Sequence, residues 1–496
     1  MNNDKKTIVS SLIWKLLERI GVQGVQFIVA IVLARLLLPS DYGAITMITI
    51  FIALSDNLIQ SGFSTSLIQK KNADELDFSS VFYITLLIAL VLYLILFFTA
   101  PIIANFYNMP IIKNVLRVLS INLFIGAINS VQNAKIARDM KFRKLFTSSL
   151  FAVFASGFAG IFLAYKGYGV WALVAQQIVN QFISTIVLWF ISGWKPKLMF
   201  SFERVKGLFS FGWKMMVSHA IDNLYRNLYN LVIGKVFNSE TLGLYNKGEQ
   251  FPKLISVNVD GAIGSVMLPA YSKEQDRKDK LKKLVKRTIT TSSLLMFPMM
   301  AGLAATAPSI VLILLTSKWN GCVIYMQIMC IIYALYSLNT ANLHAIKAVG
   351  KSDYYLKLEI TKKVIGVIAV VATVRYGIMC MVIVQVLVNI LYTIINMIPG
   401  KKLLNYNLLE QIKDIMPSLL ISLFMYFVVS LFNLLVINVY LKLFIQIIIG
   451  LAIYICLNII FKIESYYYVL NTIKGFFSNK KHKTQIICWY GIIKML

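Results

Sequence analysis

Residues 78–103, FSSVFYITLLIALVLYLILFFTAPII, run for 26 positions without a charged side chain. A helix of about 20 apolar residues crosses the hydrocarbon of a bilayer, and only helices or closed barrels satisfy their backbone there. The same character recurs along the chain, predicting spans at 9–35, 43–66, 78–103, 113–133, 145–165, 169–192, 208–236, 243–269, 286–315, 321–346, 355–375, 377–398, 413–434 and 438–461. Charged residues make up 14% of the 496 positions, against about 25% in a soluble globular protein. The sequence therefore predicts an all-α polytopic membrane protein of about 14 transmembrane helices.

The net charge of +28 invites a nucleic-acid reading, but the basic residues are dispersed over short loops and no basic soluble domain exists to dock a duplex. Sidedness explains them better. Of the 49 Lys and Arg, 35 fall on one set of loops and tails, 8 on the alternate set and 6 within helices. The positive-inside rule then puts the rich set, with both termini, in the cytoplasm. The run SKEQDRKDKLKKLVKR (272–287) is the densest. It reads as a solvated connector more readily than as a lipid or partner contact, because topology alone demands such runs.

The chain also repeats itself. Trp14-Lys15 recurs as Trp213-Lys214, LARLLLPSDYG (33–43) as IGKVFNSETLG (233–243), and YGVWALVAQQ (168–177) as YGIMCMVIVQ (376–385). Three echoes in one order, at offsets of 199, 200 and 208, indicate a duplicated half, a frequent design in transporters whose substrate site lies between the halves. The expected organisation is a six-helix bundle over 1–206, a second over 207–400, two extra spans over 401–461 and a cytoplasmic tail over 462–496.

No catalytic motif is present: no GxSxG, P-loop or HExxH, and no large extramembrane domain. Five cysteines without CxxC spacing and three scattered histidines predict neither metal nor cofactor. What remains is a set of ionisable residues inside spans, where they are costly and usually face a cavity or a partner. Lys15, Glu18 and Arg19 share one face of the first span, and Lys214, Asp222 and Arg226, with His219 nearby, share one of the seventh. The eighth carries Lys247, Glu249, Lys253 and Asp260, and the second carries Asp56.

Two readings of this set compete. In one, Lys15, Arg19, Lys214, Arg226, Lys247 and Lys253 line a positive cavity that admits a phosphate or pyrophosphate, and Asp56, Asp222 and Asp260 are candidates for ion coupling. In the other, each cation pairs with a carboxylate one turn away, such as Arg226 with Asp222, and only locks helices. Pro252, Pro269 and Pro298 sit in or at the ends of helices, where proline is able to break a helix but is also common in membrane spans.

The motifs ARLLLPSDYG (34–43), RNLYNLVIGKVFNSETLGLYNKGEQFP (226–252), VMLPAYSKEQD (266–276) and LLTSKWNG (314–321) resemble the polysaccharide transporter family. These are Wzx-type lipid-linked oligosaccharide flippases of the colanic and teichuronic acid exporter branch, in the multidrug/oligosaccharidyl-lipid/polysaccharide exporter superfamily. The resemblance covers about residues 8–400. It implies two six-helix bundles plus two C-terminal helices in a bacterial cytoplasmic membrane. It also implies translocation of undecaprenyl-diphosphate-linked repeat units among membrane lipids; the sequence leaves open whether the protein works alone or beside a polymerase of the same pathway. An ion-coupled multidrug antiporter of the same superfamily is the alternative, although helix-borne cations suit cationic drugs poorly. A membrane polysaccharide polymerase fits less well, because the outer loops are short.

Overall fold

The computed structural model describes residues 21–60 and 63–478. Lys15 and Arg19, with Glu18, lie outside the described residues, as do Cys488 and the last 18 positions. Among the described residues every regular element is a helix. Eleven helical segments are long and apolar enough to cross a membrane. The other three expected spans also fall on helices, but on shorter or more polar ones: Gln23–Leu36, Phe202–Val236 and Ser352–Thr373.

Contacts divide the chain into two compact units, one ending at Gly243 and one beginning at Leu244. In the first, α1 (Gln23–Leu36), α2 (Pro39–Gln60) and α3 (Phe63–Gln69) precede α4 (Glu75–Phe106). Next come α5 (Ile111–Leu119), α6 (Asn122–Arg138), α7 (Phe142–Tyr165), α8 (Val170–Ser192), α9 (Phe202–Arg226) and α10 (Leu228–Val236). The expected bundles at 1–206 and 207–400 divide the chain by repeat; contact divides it later. The reason is that α9 packs on α2, α3 and α4: the Ser66 hydroxyl donates to the Leu208 carbonyl at 3.0 Å, and the Phe63 and Phe209 rings lie 5.8 Å apart.

The start of α4 is fixed by its own sequence. The Asp74 carboxylate accepts from the Asp77 N–H at 2.9 Å, and Asp77 returns the favour to the Asp74 N–H at 3.2 Å, a reciprocal capping box. That backbone N–H, with the Arg204 and Lys70 cations nearby, holds the exposed Asp74 carboxyl below the usual range. At about 1.5 Å per residue this 32-residue helix exceeds the ~30 Å hydrocarbon core, so its acidic end projects into the aqueous boundary. The apolar core beneath joins Phe78, Phe82, Val131, Trp194 and Leu208.

The echoed turns at 39–43 and 239–243 meet inside this unit. A Cβ on Gly43 would lie 1.7 Å from the Ser239 carbonyl oxygen, and one on Gly243 would lie 1.9 Å from that of Pro39. Both positions therefore require glycine for close backbone approach.

The second unit contains most of α11 (Ser239–Lys273), then α12 (Lys278–Leu314), α13 (Cys322–Ala334), α14 (Tyr336–Ala348), α15 (Ser352–Thr373) and α16 (Ile378–Met397). The short α17 (Pro399–Leu404) leads to α18 (Leu408–Leu431), α19 (Val439–Ile460) and α20 (Glu464–Ser478). Its core mirrors that of the first unit, with Tyr271, Leu281, Phe297, Leu338, Leu404 and Tyr406 clustered near the start of α12. The prolines do not break their helices: Pro252 and Pro269 lie within α11 and Pro298 within α12, as membrane helices tolerate when neighbours satisfy the freed backbone groups. Within the tail, residues Glu464–Ser478 form α20, docked where the Arg287 guanidinium sits 3.8 Å over the Tyr468 ring.

Candidate functional site

On α9, Arg226 and Asp222 lie one helical turn apart, and the guanidinium Nε reaches the carboxylate at 2.8 Å. The pair is not hidden: the side chains are 77% and 39% exposed. A guanidinium carries five N–H donors, so one bond to Asp222 leaves the outward edge of Arg226 available. His219 is exposed on the same helix. The Lys214 side chain lies outside the described part of α9.

On α11, Lys253 meets Glu249 at 3.3 Å and is 54% exposed. Glu249 also accepts from the Tyr333 hydroxyl at 2.6 Å, which ties this turn to α13. Lys247 differs from its neighbours. It is 4% exposed, with its ammonium 5.5 Å from the Trp319 ring centre. Gly248 lets the helix press this close, since a Cβ there would lie 2.7 Å from that of Tyr325.

The carboxylates fall in matching places. In the first unit Gln60 donates to Asp56 at 2.6 Å. A Cβ on Gly126 of α6 would lie 3.0 Å from the same oxygen and 3.7 Å from the Gln181 amide, so α2, α6 and α8 converge there. In the second unit, 200 positions on, the pair is Ser256 and Asp260, with the hydroxyl 3.5 Å from the carboxylate. Thr340 of α14 also lies beside Asp260. The other carboxylate oxygen, Oδ1, is buried with no protein partner. The acid has thus moved one turn along the helix between the copies.

A band of neutral polar groups continues through the second unit. Asn396 donates to the Asn339 side-chain oxygen at 2.7 Å, and Asn339 donates to Thr393 at 3.2 Å. Tyr245 donates to Gln385 at 3.2 Å. The His344 Nδ1 is buried without a protein partner, and its Nε2 lies 2.8 Å from where a Gly264 Cβ would stand. Charge-based reasoning misses these residues. A signal existed, because Asn129-Ser130 recurs as Asn339-Thr340 at an offset of 210.

A family profile described as "Polysaccharide biosynthesis protein" matches residues 32–324, more than half of the chain. The chain belongs to this polysaccharide biosynthesis family. It is similar to the succinoglycan biosynthesis transport protein ExoT of Rhizobium meliloti, with 26% identity over 63% of this chain and 64% of that one. The match to the teichuronic acid biosynthesis protein TuaB of Bacillus subtilis is 22% identical over 84% of this chain and 87% of the relative. The lipopolysaccharide biosynthesis protein WzxC of Escherichia coli matches at 24% identity, over 75% and 76%. The chain thus spans just under two thirds of ExoT's length and more of the other two.

Among solved structures, the lipid II flippase MurJ in an inward closed conformation aligns with a TM-score of 0.73 at 17% identity, over 91% of this chain and 98% of that one. An inward-facing multidrug resistance MATE family transporter aligns at 0.60 and 17% identity, over 77% and 94%. The family member described here therefore shares the fold of these two solved transporters.

Proposed function

We propose that this family member flips undecaprenyl-diphosphate-linked oligosaccharide repeat units across the bacterial cytoplasmic membrane for surface polysaccharide assembly. The observation that carries the reading is the polysaccharide biosynthesis match on a chain with this transporter fold. The relatives' names point to three different polymers, so the reading specifies a lipid-linked glycan and no particular sugar.

The physical task is to carry a dianionic pyrophosphate and a polar glycan through hydrocarbon. Cations on spanning helices lower that cost. Arg226 and Lys253 have exposed side chains and would be the first contacts, while Lys247 adds positive potential from a buried position. Lys15, Arg19 and Lys214 complete the proposed set. Asp56, Asp222 and Asp260 are the proposed ion-coupling groups, with Asp260 foremost because one of its oxygens is buried without a protein partner. Transport proceeds by alternating access, without covalent catalysis. Both termini lie in the cytoplasm, and a polymerase acts on the delivered unit.

The test is reconstitution into liposomes with a fluorescent undecaprenyl-diphosphate oligosaccharide in one leaflet, following its arrival in the other. Exchange is expected, with a loss of about tenfold or more in Lys214→Ala and Arg226→Ala, as for a charge-assisted phosphate contact. Exchange unchanged by either substitution would keep the flippase and remove these residues from the headgroup site. No exchange where a control flippase works, combined with gradient-driven export of cationic dyes, would favour the antiporter, a reading the MATE-like alignment keeps in view.

A further inference from the structure

One cavity in the second unit is lined by none of the residues of the proposed transport site. It measures about 740 Å³ and is enclosed by three helix ends: the start of α12, the start of α18 and the turn between α19 and α20. Its charge is lopsided, since six lining cations face three carboxylates.

The sequence builds this asymmetry in a simple way. Lys280, Lys283, Arg287 and Thr290 of α12 line the cavity, spaced i, i+3, i+7 and i+10, so they form one stripe. Lys413 of α18 and Lys462 of the α19–α20 turn approach from the other walls. Some of this charge is committed internally: Lys286 meets Asp414 at 2.8 Å, and Arg287 stacks on Tyr468. Among the described residues, Lys280, Lys283, Lys413 and Lys462 make no ion pair within 4 Å.

A second, independent observation points to a missing occupant. Thr291 also lines the cavity. Its side chain is buried, at 7% exposure, yet its hydroxyl has no hydrogen-bond partner in the protein. Buried hydroxyls seldom stay unpaired, because each costs about 1–3 kcal/mol when orphaned. An acceptor inside the cavity would satisfy Thr291 and the surplus lysines together. A phosphate oxygen has that chemistry, and basic pockets between membrane helices at the cytoplasmic side suit lipid phosphates.

Position favours a lipid over a soluble anion. The cavity wall on α18 reaches Pro417 and Ser418, and the face that carries Pro417 continues as Leu420, Phe424, Phe427 and Leu431, all exposed and apolar. A ligand bound there by its head can lay an acyl chain along that stripe. We propose that this pocket binds the phosphate headgroup of an anionic membrane phospholipid, as a resident lipid and not as transported cargo.

The experiment uses the full-length protein in mild detergent, with native mass spectrometry reading the lipid retained during titration with phosphatidylglycerol and phosphatidylcholine. Phosphatidylglycerol should be retained preferentially. Lys283→Gln and Lys413→Gln should each weaken retention about fivefold, the share of one cation near a phosphate. Lys357→Gln, on α15 and outside the pocket, should leave it unchanged. Thr291→Val removes only the unpartnered hydroxyl and should lower retention without altering charge, so the proposal stays testable if a charge variant does not fold. Equal retention of the two lipids, or equal loss in Lys357→Gln, would overturn the pocket as a specific site. Displacement of the lipid by millimolar inorganic phosphate or diphosphate would overturn the lipid as occupant and assign the pocket to a soluble phosphate compound.

Discussion

The helices α4 and α12 hold equivalent places in the two copies, yet they begin with opposite charge. The first opens on Asp74, Glu75 and Asp77, and nearly every charge there is answered. Asp77 is fully buried between Lys70 at 2.6 Å and Arg204 at 3.7 Å. Glu75 accepts from the Trp194 indole at 2.9 Å and faces Lys135 at 3.4 Å. The second opens on lysines, and its N-cap residue Arg277 makes no side-chain cap bond. Among the described lysines there, Lys282 and Lys286 find carboxylates, Glu410 and Asp414, each at 2.8 Å, and Arg277 reaches Glu274 only at 4.0 Å. One rim is closed on itself; the other carries a surplus and a cavity.

Removing single partners should break this contrast in a graded way. Asp77→Asn should have the largest effect, about 3 kcal/mol, because it strands the Lys70 ammonium beside a fully buried site. Thermal unfolding in detergent reads it, and a change no larger than that of Asp414→Asn would erase the distinction between the rims. Asp414→Asn should cost about 1–2 kcal/mol, since it loses Lys286 and weakens the bond accepted from the Tyr406 hydroxyl at 2.6 Å. Trp194→Phe keeps the ring packing but gives up one hydrogen bond to Glu75, worth about 1 kcal/mol. Lys286→Gln should fall below about 1 kcal/mol and shrink further in high salt, as for other half-exposed pairs.

The smallest expected effect is a pH dependence at Asp74. Its carboxyl is held below the ordinary range in the fold. It therefore contributes stability above the unfolded carboxylate pKa, and that contribution is lost as pH falls through the lowered folded value. Asp74→Asn should lower stability slightly at neutral pH, leave acid stability nearly unchanged and so flatten the acid limb of the stability curve. An acid limb identical to that of the parent would remove the cap from the account.

Much of this architecture could be read from the sequence because apolar runs and glycine echoes are local signals. All 14 expected spans fall on helices, in part for the first, whose early residues lie outside the described range. The sequence left the effect of the prolines open, since proline breaks a helix only where nothing else satisfies the backbone, and α11 and α12 are helical through theirs. The Arg226–Asp222 pair follows from i, i+4 spacing, but spacing cannot say that both side chains remain exposed. The Asn339–Thr393–Asn396 band carries no charge and joins two helices more than 50 positions apart, so no window reveals it. The α12–α18–α20 cavity has the same difficulty: Lys283, Lys413 and Lys462 are unremarkable alone and acquire meaning only when three helix ends converge.

The reciprocal glycines have an evolutionary consequence. When a half-length ancestor was duplicated, one glycine position became two, Gly43 and Gly243, each now read separately by mutation. Neither can accept even a methyl group, because each faces a backbone carbonyl contributed by the other copy's turn, and a backbone cannot be swapped for something smaller. No compensating substitution exists on the opposite side. The rims of α4 and α12 carry opposite charge, whereas these two positions hold the same residue, which the close backbone packing alone requires.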